Sequence, residues 1–241
     1  MAKKITEQIV ISAFNFGAVR LRVVGTAPLL CNNIEKAMLP NCVDEYGNYT
    51  YDDKALRNES RSRSAEEKFQ DSTYKQLGAD GKPISFQEAL EVNKFAFPQQ
   101  AFKKAMVRMG GKTISAPQTE LSSYLFVVPE TLESGIKSEF ATLDYGKKPP
   151  FRRSMAVKDP PECRHRAQFN DWSLQLEIRF PENIFDPSSV VNAMRAAGMF
   201  NGVGDYRPEK IKGVGGSFGT FEIDMASIQV FEKNTWTGLA L

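Results

Sequence analysis

The sequence predicts a mixed α+β domain with an antiparallel sheet, on three observations. Residues 18–25 alternate, with Val19, Leu21 and Val23 on one face and Arg20 and Arg22 on the other. Residues 172–180 alternate more cleanly, with Trp172, Leu174, Leu176, Ile178 and Phe180 against Ser173, Gln175, Glu177 and Arg179. A period of two marks a half-buried strand, and one wet face suits an antiparallel sheet. The third observation is that two stretches between and after these strands carry helical spacing instead.

In chain order, the first strand stops at Thr26-Ala27-Pro28. Residues 29–47 are mixed and irregular. Residues 49–80 are polar and charged, with Ser-Arg-Ser-Arg-Ser at 60–64. They hold few large apolar residues to offset ordering entropy, so a long and partly mobile insertion is expected. An Arg-Ser run can touch nucleic acid, but a solvated loop is the commoner role of such a charge run. Phe95-Ala96-Phe97-Pro98 is expected to open a helix. Phe102, Ala105, Met106 and Met109 follow the spacing of its buried stripe. Lys103, Lys104 and Arg108 lie off that stripe, and Gly110-Gly111 is expected to end it. Residues 122–128 read as a strand. Asp186-Pro187 is an N-cap with proline at the first helical position. Val190, Val191, Met194 and Ala197 form the buried side of that helix, and Gly198 is expected to close it. A last strand is expected over 218–231, bulged near Gly219.

The core order is strand, helix, strand, strand, helix, strand, which is a ferredoxin-like βαββαβ plan. One elaborated domain is expected over residues 1–241. Its core covers about 17–26, 95–129 and 169–232, with long insertions at about 27–94 and 130–168. No internal repeat is evident.

Composition excludes several classes. Of 241 residues, 41% are hydrophobic and 25% charged, ordinary globular usage that rules out a disordered chain or a coiled-coil rod. Apolar runs such as 125–128 are far short of the roughly 20 residues of a membrane-spanning helix. The start, Met-Ala-Lys-Lys, leads into no signal-peptide core. Cys31, Cys42 and Cys163 are too few and too scattered for a disulfide framework. Reduced thiols in a cytoplasm are the expectation. His165 is the one histidine. A four-ligand zinc site would need every histidine and cysteine to converge, so no metal and no cofactor are expected. A Ser-His-Asp triad would have to use His165, set between Arg164 and Arg166, which oppose imidazolium formation. No catalytic set is found, and the chain is read as non-enzymatic.

Net charge is +2 from 31 basic and 29 acidic residues, so distribution matters more than the total. Residues 147–166 hold Lys147, Lys148, Arg152, Arg153, Lys158, Arg164 and Arg166 against Asp159 and Glu162. Lys103, Lys104, Arg108 and Lys112 form a second basic run with no acid among them.

Residues 198–221 read GMFNGVGDYRPEKIKGVGGSFGTF. Gly198, Gly202, Gly204, Gly213, Gly215, Gly216 and Gly219 allow positive φ or close backbone approach. Arg207, Lys210 and Lys212 sit among them, with Tyr206 and Phe218 as planar groups. Exposed amides, cations and aromatic faces together suit a phosphate–sugar backbone with splayed bases. A plain long turn, with Phe221 plugging the core, is the competing account. The string is neither a mononucleotide loop of the Gly-x-x-x-x-Gly-Lys-Ser/Thr type nor a Rossmann turn, since it follows a helix.

A helix, a glycine-rich loop and a closing strand with Gly-x-Phe-Gly-x-Phe resemble the RAMP superfamily, the ferredoxin-like RNA-binding proteins of CRISPR effector complexes. The chain also resembles a bacteriophage-encoded family with an early Pro-Leu-Leu, a late Arg-x-x-Phe-x-x-Trp and a Gly-x-Gly-Asp/Glu-aromatic-Arg-Pro loop. Here these are Pro28-Leu29-Leu30, Arg166 through Phe169 to Trp172, Gly202 through Asp205-Tyr206-Arg207-Pro208, and Gly216-Ser217-Phe218-Gly219-Thr220-Phe221. Ile211-Lys212-Gly213-Val214 departs from the pattern by lengthening the loop, and residues 31–94 match neither family. The resemblance implies an RNA-binding subunit of backbone type that assembles in copies along a strand. Processing nucleases of that superfamily use a histidine-based site. His165 between two arginines reads instead as a phosphate contact or an exposed basic loop residue.

The expected phosphate contacts are Lys103, Lys104, Arg108, Arg152, Arg153, Arg164, His165 and Arg166, with Arg207, Lys210 and Lys212 from the loop. Tyr206, Phe151 or Phe218 are expected to stack on bases. The loop backbone at Gly202, Gly204, Gly213, Gly215, Gly216 and Gly219 completes the set. The expected partners are single-stranded nucleic acid, RNA before DNA, and further copies of the chain in a homo-oligomer or filament, with no membrane. A phage single-stranded DNA-binding or recombination accessory protein is the near alternative. A structural assembly protein making only protein contacts, or a nuclease with an unseen metal site, are the others.

Overall fold

The computed structural model describes residues 15–33, 63–113, 117–146, 148–158, 161–209 and 215–231. In chain order the strands and helices begin with β1 (Phe16–Gly25), β2 (Leu29–Cys31), α1 (Ala65–Asp71), β3 (Tyr74–Lys75), α2 (Phe86–Glu91) and β4 (Phe95–Pro98). Next come α3 (Gln99–Thr113), α4 (Gln118–Tyr124), β5 (Phe126–Val127), β6 (Glu130–Thr131), β7 (Lys137–Ser138) and β8 (Phe140–Thr142). The last are β9 (Phe151–Lys158), β10 (Pro161–Phe169), β11 (Ser173–Pro181), α5 (Pro187–Ala196), a π-helical turn (Ala197–Asn201) and β12 (Phe221–Phe231).

The fold is mixed α+β with antiparallel sheets. The main sheet has four strands in the order β12-β1-β11-β5, and every neighbouring pair is antiparallel. Helix α3 lies between β1 and β5 in the chain, and α5 between β11 and β12. The two helices pack on each other and against the sheet. The alternation of β1 and β11 decides which face they cover. Val19, Leu21, Val23, Leu174, Leu176, Ile178 and Phe180 are buried, while Arg20, Arg22, Gln175 and Glu177 keep to the other face. Phe102, Ala105, Met106 and Met109 are the buried stripe of α3.

A second sheet, β2-β10-β9, takes one strand from residues 27–94 and two from 130–168. Leu29 to Cys31 pair with Phe169 to Ala167. A third sheet, β3-β4-β8, also mixes the two regions. All three share one apolar core. Phe95 and Tyr145 pack edge-on to Phe169, and Trp172 and Phe102 pack edge-on to Phe221.

Several expectations are corrected. Phe95–Pro98 is a strand rather than a helix start: Phe95 pairs with Lys75 and Phe97 with Ala141. The residue before a proline favours extended backbone, so the helix begins only at Gln99. Gly110-Gly111 does not end α3, which runs to Thr113. Packing on α5 and the π turn outweighs the roughly 1 kcal/mol that a helical glycine costs. Residues 122–128 are not one strand. They divide between α4, anchored by buried Leu121, and the two-residue β5. Gly198 does not close α5. A Cβ there would collide with the carbonyl of Phe221, so this glycine serves close packing, and the turn ends at Gly202 with φ +64°. The irregularity of the last strand lies opposite Arg20 and Arg22 rather than at Gly219, and Ser227 Oγ accepts from the Arg22 amide at 2.8 Å.

The polar stretch 49–80 also needs correction where it is described. Ser64 and Glu67 form a reciprocal capping box at the start of α1, and Phe69 is buried beneath it. Residues 49–62 lie outside the described residues. Among the described residues no helix is long and apolar enough to cross a membrane.

Candidate nucleic-acid interface

The β9–β10 hairpin sorts its predicted contacts by register. Arg153 stands opposite Arg166, Ser154 opposite His165, and Met155 opposite Arg164. In an antiparallel pair, opposed residues share a face and successive residues alternate. Phe151, Arg153, Arg164 and Arg166 therefore share one face. Arg152 and His165 share the other, which rests on α1.

The second face is engaged with α1. Arg152 pairs with Glu66 at 3.2 Å, and His165 Nδ1 lies 2.9 Å from Ser154 Oγ. Partial burial, then the charges of Arg152, Lys68 and Arg166, hold the imidazole below its ordinary pKa. His165 is thereby biased towards the neutral form.

The first face meets the glycine-rich loop. Arg166 Nε reaches Asp205 Oδ2 at 3.3 Å, and the Arg153 guanidinium lies over the Phe218 ring, 5.8 Å from its centroid. Phe151 is 55% exposed at the edge of this face. Tyr206 holds φ +52°, an uncommon backbone for a tyrosine. Arg207 Nη1 donates to the Gly204 carbonyl at 3.1 Å, bracing the loop through a carbonyl rather than a carboxylate.

The loop is pinned by its own backbone. Asp205 N–H donates to Leu30 O at 2.9 Å and Gly219 N–H to Pro28 O at 2.8 Å. Val203 N–H donates to Gly219 O, Phe218 N–H to Tyr206 O and Gly216 N–H to Arg207 O. A Cβ at Gly215, Gly216 or Gly219 would run into the carbonyls of Pro208, Tyr206 and Val203, and one at Gly204 into that of Leu30. These glycines let two loop segments and the Pro28–Leu30 stretch lie backbone to backbone. The amides of Gly202, Gly216 and Gly219 are all engaged internally, so these three do not form the exposed amide cradle expected for a phosphate. Lys210, Lys212 and Gly213 lie outside the described residues.

Four motifs far apart in sequence meet here. Pro28–Leu30 bonds the loop, and β2 pairs with the strand carrying Arg166 and Phe169. Trp172 Nε1 donates to Ala27 O at 2.8 Å, and Arg166 joins Asp205.

Helix α3 splits its predicted cations. Lys103 lies over the Phe126 ring, 5.4 Å from its centroid, beside the β5 edge of the main sheet. Lys104 and Arg108, four residues apart, turn towards the loop instead. With Arg207 they line a groove of about 440 Å³ between α3 and residues 201–207. Arg108 pairs with Glu209. Thus Arg153, Arg166, Lys104, Arg108 and Arg207 border the loop, Arg164 shares the hairpin face of Arg153 and Arg166, and Lys103, Arg152 and His165 lie away from the loop. Tyr74 and Asn32, which also line the groove, were not singled out in the sequence. No charge run or glycine pattern marks them, because they reach the site only through tertiary packing.

Among the described residues no group of three or more histidine, cysteine or acidic side chains is placed to hold a metal ion. No protein-family model matches the chain, and no curated protein matches it.

Proposed function

We propose that this protein is a non-enzymatic binder of single-stranded nucleic acid, using the loop-facing side of the β9–β10 hairpin together with the glycine-rich loop. One observation carries the reading. Arg153, Arg164 and Arg166 share a hairpin face that abuts a loop presenting Tyr206, Arg207 and Phe218. Cations alternating with planar side chains along one surface suit a phosphate backbone with stacked bases, with little demand on sequence.

We also infer a ferredoxin-like, RAMP-like core. The sheet order β12-β1-β11-β5, with one helix after its first strand and one before its last, supports that plan. RNA is favoured over DNA by the family resemblance, and assembly in copies along a strand, in a cytoplasm, belongs to the same reading. The test is a mobility-shift series with matched single-stranded RNA and DNA oligomers. Retardation of either supports the reading, and retardation of RNA at lower protein concentration supports the RNA preference. Absence of any shift at low salt refutes it.

The second reading is an assembly protein making protein contacts alone. Met199 and Phe200, adjacent on the π turn and 67% and 58% exposed, favour it.

A further inference from the structure

The groove between α3 and the glycine-rich loop has the chemistry of a nucleotide seat. Its volume, about 440 Å³, falls among small-ligand clefts, roughly 300–1,000 Å³. Lys104 and Arg207 line it, and neither has an acidic partner within ion-pair distance among the described residues. Arg108 adds a third cation, balanced by Glu209. Asp205 is the one acid on the lining, and it is occupied by Arg166 and by the Tyr206 N–H, 3.1 Å away. The Tyr74 ring also lines the groove, its hydroxyl donating to Asn32 O at 2.9 Å. The lining also includes Asn201, which is 2% exposed. Its Nδ2 donates to Gly202 O while its Oδ1 has no hydrogen-bond partner. A buried acceptor without a donor is uncommon and costly. A ligand donor, or a small turn of the amide, would relieve it.

We propose that this groove binds one nucleoside phosphate, with the phosphate between Lys104 and Arg207 and the base lying towards Tyr74. The base supplies N–H donors for the Asn201 side. The ligand is either a nucleotide within a bound strand, which rests on the strand-binding reading, or a free nucleoside monophosphate. The groove differs from the hairpin face: Lys104 and Arg108 come from a helix and the aromatic from the first insertion, and only Arg207, on the glycine-rich loop, is common to both.

Gln100 lines the groove from the first turn of α3, is exposed, and tolerates an acid there because helix N-termini favour negative charge. Gln100→Glu thus opposes phosphate without opposing the fold, and Lys104→Gln removes a cation from an exposed position. Binding is read by anisotropy of a labelled single-stranded oligonucleotide and by calorimetry with the four nucleoside monophosphates, with inorganic phosphate as control. Thermal melts of each variant verify folding. Each variant is expected to weaken strand binding about tenfold at an unchanged melting temperature, and monophosphates are expected to compete with the strand. If the strand binds parent and variants equally, the groove is not a seat, while strand binding itself stands. If no strand binds the parent protein, the strand reading falls. Monophosphate binding lost in both variants would then assign the groove to the free ligand, and no monophosphate binding would overturn the proposal.

Discussion

Arg166 and Asp205, 39 residues apart, join the second sheet to the glycine-rich loop through a contact of 3.3 Å, with side chains only 16% and 26% exposed. The arginine expected to meet phosphate is thus first a structural clamp. A half-buried pair of this kind is worth more than a surface pair and less than a fully buried one, so about 1–2 kcal/mol is expected from breaking it. Urea denaturation of Arg166→Ala, Asp205→Ala and the double variant checks this. The double variant should lose less than the two single losses combined. Strict additivity would show that the pair carries no coupling.

The loop glycines are expected to separate by cause. Gly219 holds φ +68° and lies backbone to backbone with Val203, whereas Gly81 holds φ +77° in open space. Gly81→Ala therefore costs only the left-handed backbone term, about 1 kcal/mol. Gly219→Ala adds a collision with a carbonyl and should cost at least roughly twice as much. Equal melting temperatures for the two variants would contradict the close packing of the loop.

Binding to a single strand should depend steeply on salt. With six phosphate contacts, log K should fall against log salt with a slope of about −4. Arg153→Ala and Arg164→Ala should each flatten that slope by roughly 0.7 and leave the thermal melt nearly unchanged. Fluorescence anisotropy at four salt concentrations reads both effects. A slope unchanged in both variants would remove the hairpin face from the interface.

His165 gives a direct electrostatic readout, since no other histidine in the chain overlaps its NMR signal. Burial and its cationic neighbours lower its folded pKa, so the unfolded state takes up the proton more readily. The stability it contributes is full above its ordinary value near 6.5. It is lost as pH falls from there through the folded pKa, and His165→Gln should flatten that loss. A phosphate bound nearby reverses the shift. His165 faces α1, away from the proposed strand, so the imidazole of a strand complex should keep the midpoint of the free protein, and a midpoint moved to higher pH would place phosphate on the α1 side of the hairpin instead.

What the sequence disclosed depended on whether the signal was local. The alternation of Leu174, Leu176, Ile178 and Phe180 reports burial directly, and so does the Asp186-Pro187 start of α5. Helix α1 was also written locally, as Ser64 and Glu67 at capping-box spacing, but the surrounding polar composition outweighed it. Phe95–Pro98 misled because its partners, Lys75 and Ala141, lie about 20 and 44 residues away. The glycine-rich loop stood out by composition. Its contacts with Pro28 and Leu30 did not, because backbone pairing leaves little trace in residue type. The division of Lys103 from Lys104 needed the helix seated against both Phe126 and the loop before their directions acquired meaning.

The three-residue strand β2 has a consequence for engineering the chain. Leu29 to Cys31 hydrogen-bond to Ala167 to Phe169, so the two stretches that interrupt the core are stitched to each other. Neither is a detachable ornament. Excising 27–94 would strip β10 of a neighbour and unseat the loop held by Pro28 and Leu30. Excising 130–168 would leave Leu29, Leu30 and Cys31, all fully buried, with no strand to cover them. A graft of this architecture onto another scaffold would have to carry both stretches together, as one part threaded through the chain twice.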